Sequence, residues 1–228
     1  DILEEVARMI GYENFTLIPP KVTLTGALHQ TQMDLERRIR EVLAFSFGFQ
    51  EILSYPWVKD EYADLCGMNQ EEMLRLEQAP APNQTTLRTS HVPNVIEAIV
   101  KNVHFYDAFR LFELGQVYCV GAQSPSTPDE VLPKMHRELV GAVVGDHPEE
   151  LFYTVKGVLE ALGQAVQTDT LSFSRDERPY WADREAWLTV MARGEAIGVM
   201  GLLSTRTKAR ADIKYRDACL FVLDVEKL

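Results

Sequence analysis

Three acids at the start of the chain, Asp1, Glu4 and Glu5, fall at i, i+3 and i+4, the spacing that turns side chains toward one side of a helix. Carboxylate oxygens converging in that way suit a hard cation such as Mg2+. A plainer reason serves equally well, because acids in a first helical turn are favoured by the helix dipole alone. A second group is Ser204 to Asp217, STRTKARADIKYRD, where five bases face two acids. This is the one basic stretch of the chain, and it either contacts phosphates or simply hydrates a polar loop before the last strand. Phe45, Phe47 and Phe49, beside Tyr55 and Trp57, form either an aromatic contact surface or part of the core.

Other chemistry is missing from the pattern. His29, His91, His104, His136 and His147 make no HxxxH, HExxH or His-x-His spacing. There is no GxSxG elbow, no GxxxxGK[ST] loop and no GxGxxG after a strand, so nothing local points to a serine hydrolase or a nucleotide-binding α/β enzyme. Cys66, Cys119 and Cys219 are odd in number, widely spaced and free of any CxxC, which supports neither a disulfide framework nor structural zinc.

The elements that must position these groups follow from periodicity. Ile2, Val6, Met9 and Ile10 predict an amphipathic helix over 1–10 that Gly11 ends. Pro19-Pro20 predicts an extended connection over 12–25 and the best module boundary, with residues 1–22 as the tail of a preceding module and 23–228 as the main domain. Leu35, Ile39, Val42 and Leu43 predict a longer helix over 30–47, stopped at Gly48. A strand is expected over 49–58, followed by a loop, with Pro56 arguing for a bulge or the strand's end. A solvated helix-and-turn segment should follow over 59–78, where six acids oppose two bases. Residues 79–86 read as a loop. Val92, Val95, Ile96 and Ile99 then mark a helix with Ser90 as its N-cap. Strands are expected over 109–120, 137–145, 186–193, 196–203 and 218–225, with a helix over 152–165 and a hairpin turn at Arg193-Gly194-Glu195. The order is not βαβαβ. It predicts an α+β fold, a mostly antiparallel sheet packed against helices on one face.

Composition narrows the class. The 228 residues carry 23 Lys plus Arg against 34 Asp plus Glu, a net charge of −11, which excludes a broadly basic nucleic-acid binder. At 46% hydrophobic and 25% charged, the chain has ample material for a core. No linker separates two halves, so one main domain is expected. The longest apolar runs, such as 196–203, fall far short of the roughly 20 residues of a membrane span. No signal peptide is visible either, and the expectation is a cytoplasmic protein without membrane contact. A chain that opens on a helix without an initiator Met is expected to be a fragment of something longer.

Several stretches, taken together and in order, resemble the β subunits of phenylalanyl-tRNA synthetase. DILEEVARMIGYENF (1–15) is similar to the closing helix of the module before the family's core, where the pattern runs D-L-I-E-E-V-A-R-x-x-G-Y-D-N. RRIREVLAFSFGFQEILSYPWV (37–58) resembles the helix-then-strand unit with a GF-x-E junction, and TTLRTSHVPNVIEAIVKN (85–102) the L-R-x-S-L-x-P-x-L-L segment. FRLFELGQVY (109–118), FYTVKGVLEALG (152–163) and IGVMGLLS (197–204) resemble the FEIG strand, the LKG helix and the I-G-x-I-G strand. The family's H-P-G-R-x-A segment is replaced by Arg178-Pro179-Tyr180-Trp181-Ala182-Asp183. Its L-H-P is replaced by Leu203-Ser204-Thr205.

The resemblance implies a class II aminoacyl-tRNA synthetase-like core that is itself non-catalytic. It would pack against a catalytic α subunit in an (αβ)2 heterotetramer charging tRNA with phenylalanine at the expense of ATP. It also implies that Asp1, Glu4 and Glu5 belong to a Mg2+ site at the subunit junction. A further Asp of that site would precede Asp1, so the chain alone is expected to bind the ion weakly or not at all. No catalytic or cofactor-binding residue is implied in this chain. The alternative is a tRNA-positioning module using 204–217; a third reading is a free-standing domain that forms adenylates.

Overall fold

The computed structural model describes residues 1–23, 26, 28, 30–123, 132–166 and 170–228. It divides into two compact units, Asp1–Thr31 and Gln32–Leu228. In the first, helix α1 (Ile2–Ile10) buries none of its residues and is followed by a 3-10 turn, Tyr12–Asn14. Residues 16–23, which include the two prolines, belong to no helix or strand.

The second unit opens with α2 (Thr31–Glu41), which runs into a π turn at Val42–Ser46. Next come β1 (Gln50–Glu51), β2 (Trp57–Val58), α3 (Asp60–Leu65), β3 (Thr86–Leu87) and α4 (Val92–Asn102). β4 (Phe109–Gln123), β5 (Pro133–Gly145) and α5 (Pro148–Ala165) follow. The chain closes with β6 (Ser172–Ser174), β7 (Ala182–Ala192), β8 (Glu195–Leu203), α6 (Thr205–Arg210) and β9 (Asp217–Asp224). The strand expected over 49–58 is thus two short pieces. Pro56 lies between them, where a residue without an N–H cannot continue a ladder. β2 pairs instead with β3 in a separate ribbon.

The main sheet has seven strands in the order β1-β4-β5-β9-β8-β7-β6. Every neighbouring pair is antiparallel except β1 with β4. The hairpin between β7 and β8 turns on Arg193 and Gly194, both at positive φ (51° and 81°), the two-residue turn whose twist matches its strands.

Helices cover both faces of the sheet, which corrects the one-face expectation. Leu139 and Leu223, and Val143 and Cys219, are cross-strand pairs that pack with Val155, Val158, Leu159 and Leu162 of α5 and with Ile39 of α2. The intervening pairs, Ala142 with Leu220 and Val144 with Ala218, pack on the opposite face against Val92, Val95, Ile96 and Ile99 of α4. The sign of this lay in the strands themselves: LVGAVV in β5 and ACLFVL in β9 run continuously apolar, as strands buried on both sides do. A helix also replaces the polar loop expected after β8. There Ser204 caps α6, its Oγ accepting from the Thr207 N–H at 3.1 Å. α5 starts at Pro148 rather than Phe152, with a proline in the first turn where its missing N–H costs nothing. Among the described residues no helix is long and apolar enough to cross a membrane.

β8 fits between β7 and β9 because of its glycines. A Cβ on Gly198 would collide with the Val222 carbonyl, and one on Gly201 would come within 2.9 Å of the Trp187 Cβ. Gly198→Ala is expected to destabilise the domain by about 3 kcal/mol, the upper part of the usual overpacking range. Urea unfolding measures this, and an unmoved midpoint would show that the strands have room to part.

Candidate functional site

The acids of α1 are where the sequence put them, but they do not converge. Asp1 occupies the N-cap without a side-chain cap bond, and Glu4 and Glu5 follow in the exposed first turn. Glu5 is held instead by Arg8, three residues on, at 3.0 Å. Among the described residues no group of three His, Cys, Asp or Glu side chains is arranged to hold a metal ion.

The basic stretch is largely spoken for. Arg206 stacks on the Tyr180 ring, its guanidinium carbon 4.5 Å from the centroid. Lys208 pairs with Asp217, Lys214 with Asp212, and Arg216 with both Asp107 and Asp146. Arg210 donates to the Asp64 carbonyl at 3.3 Å. Three of these partners, Asp64, Asp107 and Asp146, come from distant parts of the chain; Lys208, Lys214 and Arg216 are ion-paired, while Arg206 meets a ring and Arg210 a backbone carbonyl, so the cationic patch is partly neutralised. The histidines likewise scatter. His147 precedes α5, and His136 lies 3.3 Å from the Cys119 Sγ. His29 lies outside the described residues. Burial pushes the Cys66 and Cys219 thiols far up, so both are inert.

Sequence reasoning missed the polar group that the resembling segments build together. Arg88 and Ser90 of the 85–102 segment meet Glu113 of β4 and Glu138 of β5. Arg88 Nη1 donates to Glu113 Oε1 at 2.8 Å with both side chains almost wholly buried. Ser54 donates to the same carboxylate through its backbone N–H (3.1 Å) and its Oγ (2.7 Å). Glu138 takes the His91 N–H at 2.6 Å and the Ser90 Oγ at 3.0 Å, and so does the capping expected of Ser90. Ser90 still accepts from the Val92 N–H, at 3.3 Å. A Cβ on Gly115 would press within 2.9 Å of His91 Nε2, which accounts for the glycine in FELG. This group is sealed from solvent and holds α4 to the sheet. Removing one partner strands a buried charge, at a typical cost of 3–5 kcal/mol. Arg88→Met should therefore cost about 4 kcal/mol in denaturant unfolding. With Glu113→Leu added, the loss should be smaller than the sum of the two single changes.

The outward-facing chemistry lies beside the sheet edge at β1. Of the aromatics considered together, Phe49 is buried and Phe47 packs partly on the core, whereas Phe45 is 87% exposed and Tyr55 70% exposed. Leu53, between β1 and Tyr55, is 87% exposed. Tyr55 stacks flat on Trp57 at 4.5 Å between centroids. Arg40 anchors the edge, bonding Glu51 at 2.7 Å and Glu36 at 3.3 Å, while Arg137 of β5 reaches Glu36 at 3.1 Å. Next to this apolar surface a cleft of about 360 Å³ opens between residues 52–59 and α4. Glu97 lies in it and receives Lys59 at 2.8 Å and Lys101 at 2.7 Å on one oxygen. Burial pushes the Glu97 carboxyl up, but hydrogen bonds and charge from Lys101 and Lys59 outweigh it and hold the group below its ordinary value.

Known proteins give this arrangement a family. Residues 17–225 match the model described as the phenylalanyl tRNA synthetase beta chain CLM domain. The chain is 30% identical to the phenylalanine–tRNA ligase beta subunit of Halalkalibacterium halodurans over 100% of its own length and 29% of that protein. It is 27% identical to that of Bacillus licheniformis over 100% of its length and 28% of the relative. The chain thus spans under a third of these relatives. Its fold is similar to that of pyrrolysyl-tRNA synthetase from Desulfitobacterium hafniense, with a TM-score of 0.68 over 86% of this chain and 67% of that one at 13% identity. The α+β, class II synthetase-like sheet expected from the sequence is the sheet observed, and the chain belongs to the family of the phenylalanyl-tRNA synthetase beta chain, as its CLM domain.

Proposed function

We propose that this domain is a non-catalytic core of a phenylalanine–tRNA ligase, a scaffold that packs against the catalytic α subunit. Such an assembly, an (αβ)2 heterotetramer in the cytoplasm, would charge tRNA with phenylalanine using ATP. The observation that carries the reading is the filling of both sheet faces. Side chains of α2 and α5 occupy one and those of α4 the other, so the middle of the sheet carries buried apolar residues, and the open cleft of about 640 Å³ lies aside from it at the ends of β4 and β5. Part of what the domain offers outward is apolar, with Phe45, Leu53 and Tyr55 exposed on either side of β1. Large exposed apolar groups gathered near a strand edge mark a protein interface.

The tRNA-positioning alternative finds less support, since all five bases of 204–217 have partners within the chain. The Mg2+ expected at Asp1, Glu4 and Glu5 is proposed for the assembled enzyme only, where a carboxylate from elsewhere would complete the set.

Two experiments follow. The purified chain should show no ATP–pyrophosphate exchange but should bind the α subunit. Phe45→Asp with Leu53→Asp should weaken that binding at least about tenfold, the loss of about 1.4 kcal/mol typical of an interface anchor. A folded double variant that binds as tightly as the parent would remove this face from the interface. Titrating the chain with Mg2+, or with Mn2+ read by paramagnetic relaxation, should give no saturable submillimolar site. A tight site lost in Asp1→Asn or Glu4→Gln would show the acids to be sufficient by themselves.

A further inference from the structure

The cleft beside α4 combines features that surface ion pairs do not need. Two ammonium groups share one oxygen of Glu97, so the group carries one positive charge in excess. Glu97 is well buried and Lys59 is only 29% exposed, whereas Lys101, at 68% exposure, stands at the rim. Each ammonium has three donors; beyond the shared oxygen, Lys59 stands 5.9 Å from the centroid of the Tyr62 ring. Gln84 and Asn102 add amide groups to the lining, and Asn94 spans the base, its Nδ2 donating to the carbonyls of Tyr55 (3.4 Å) and Trp57 (3.3 Å). Leu53 and Tyr55 line the same cleft and are also the exposed apolar residues of the β1 edge. The cleft is therefore continuous with the surface assigned above to the catalytic subunit.

Resting on that reading, we propose that the cleft is a socket for one acidic side chain, Asp or Glu, of the catalytic subunit, whose carboxylate lies between Lys59 and Lys101 opposite Glu97. Two cations and two carboxylates would then balance. The surrounding Leu53 and Tyr55 would keep water out, which is the setting in which a charge pair at an interface gains most. A nucleic-acid phosphate has the same charge but suits the site less well. Glu97 sits in the cleft, the chain carries −11 overall, and the rim sets Leu53 and Tyr55 beside Lys101 rather than further cations. A volume of about 360 Å³ also suits one side chain better than a backbone track.

Zero-length cross-linking of the assembled enzyme tests this. A carbodiimide activates a carboxylate, a lysine amine displaces it to form an amide, and the water lost is taken up as the urea. Lys59 or Lys101 should be found joined to one Asp or Glu of the partner. Lys59→Met with Lys101→Met should abolish that link, raise the subunit Kd at least about tenfold and flatten its salt dependence, while the arginine pair should retain near-parental affinity. Thermal unfolding of each variant checks that the domain still folds. Cross-links confined to Glu97, with subunit affinity unchanged in the methionine variant, would overturn the proposal. So would loss of tRNA affinity at unchanged subunit affinity, which would make the cleft a phosphate site. If the parental chain does not bind the catalytic subunit at all, the scaffold reading itself falls and the socket falls with it.

Discussion

The buried pair of Arg88 and Glu113 fixes where α4 lies, and much of the rest follows from that placement. At 2.8 Å, with almost no solvent on either side chain, the two charges survive burial only because the remaining hydrogen-bonding capacity is used. Ser54 fills Glu113, the Gln116 carbonyl takes Arg88 Nε at 3.0 Å, and Glu138 binds the first turn of α4 at His91. One network thus ties the segment after β1, the start of α4 and strands β4 and β5. It sets the wall of the cleft, since Glu97 and Lys101 project from the helix that it orients.

The sequence disclosed most of this architecture through periodicity. The stripes of α2, α4 and α5 and the turn at Arg193-Gly194 stand within a few residues of their expected places, because apolar spacing and turn chemistry are local signals. What stayed hidden was non-local. The second helical layer was written only in the unbroken apolar runs of β5 and β9, which periodicity cannot tell from other buried segments. The partners of Arg216, at positions 107 and 146, could be known only once the fold had brought them together. Arg88 and Glu113 stand 25 positions apart, and neither has a pattern of its own that declares the pairing. β6 is three residues long and carries too little sequence to show a period.

The candidate site was legible in the same uneven way. The acidic first turn of α1 was visible from spacing, whereas the pairing of Glu5 with Arg8 was not, and among the described residues no three metal-ligating side chains are grouped. The aromatic group was visible as a group, but its division was not. Phe49 turns inward to contact Phe112 and Phe221 edge-on, while Phe45 remains outside. Alternation along a short irregular stretch cannot decide which aromatic is core and which is surface; only the strand pairing of Gln50 and Glu51 with β4 does so.

The interior of this domain shows where a class II-like sheet draws its stability. A sheet whose two faces are both packed with helices gains stability from apolar burial on each side, at about 25 cal/mol per Å² removed from water. The same packing makes the middle of the sheet apolar on both sides. Polar groups that remain in the interior, such as Arg88, Glu113, His91 and Glu138, are turned toward one another rather than toward a cavity. Exposed groups stand at the margins, where β1 ends after two residues and α4 meets the following segment. Apolar side chains and two lysines that share one carboxylate oxygen lie there side by side, and apolar area beside charge is the pairing that gives an interface both affinity and specificity.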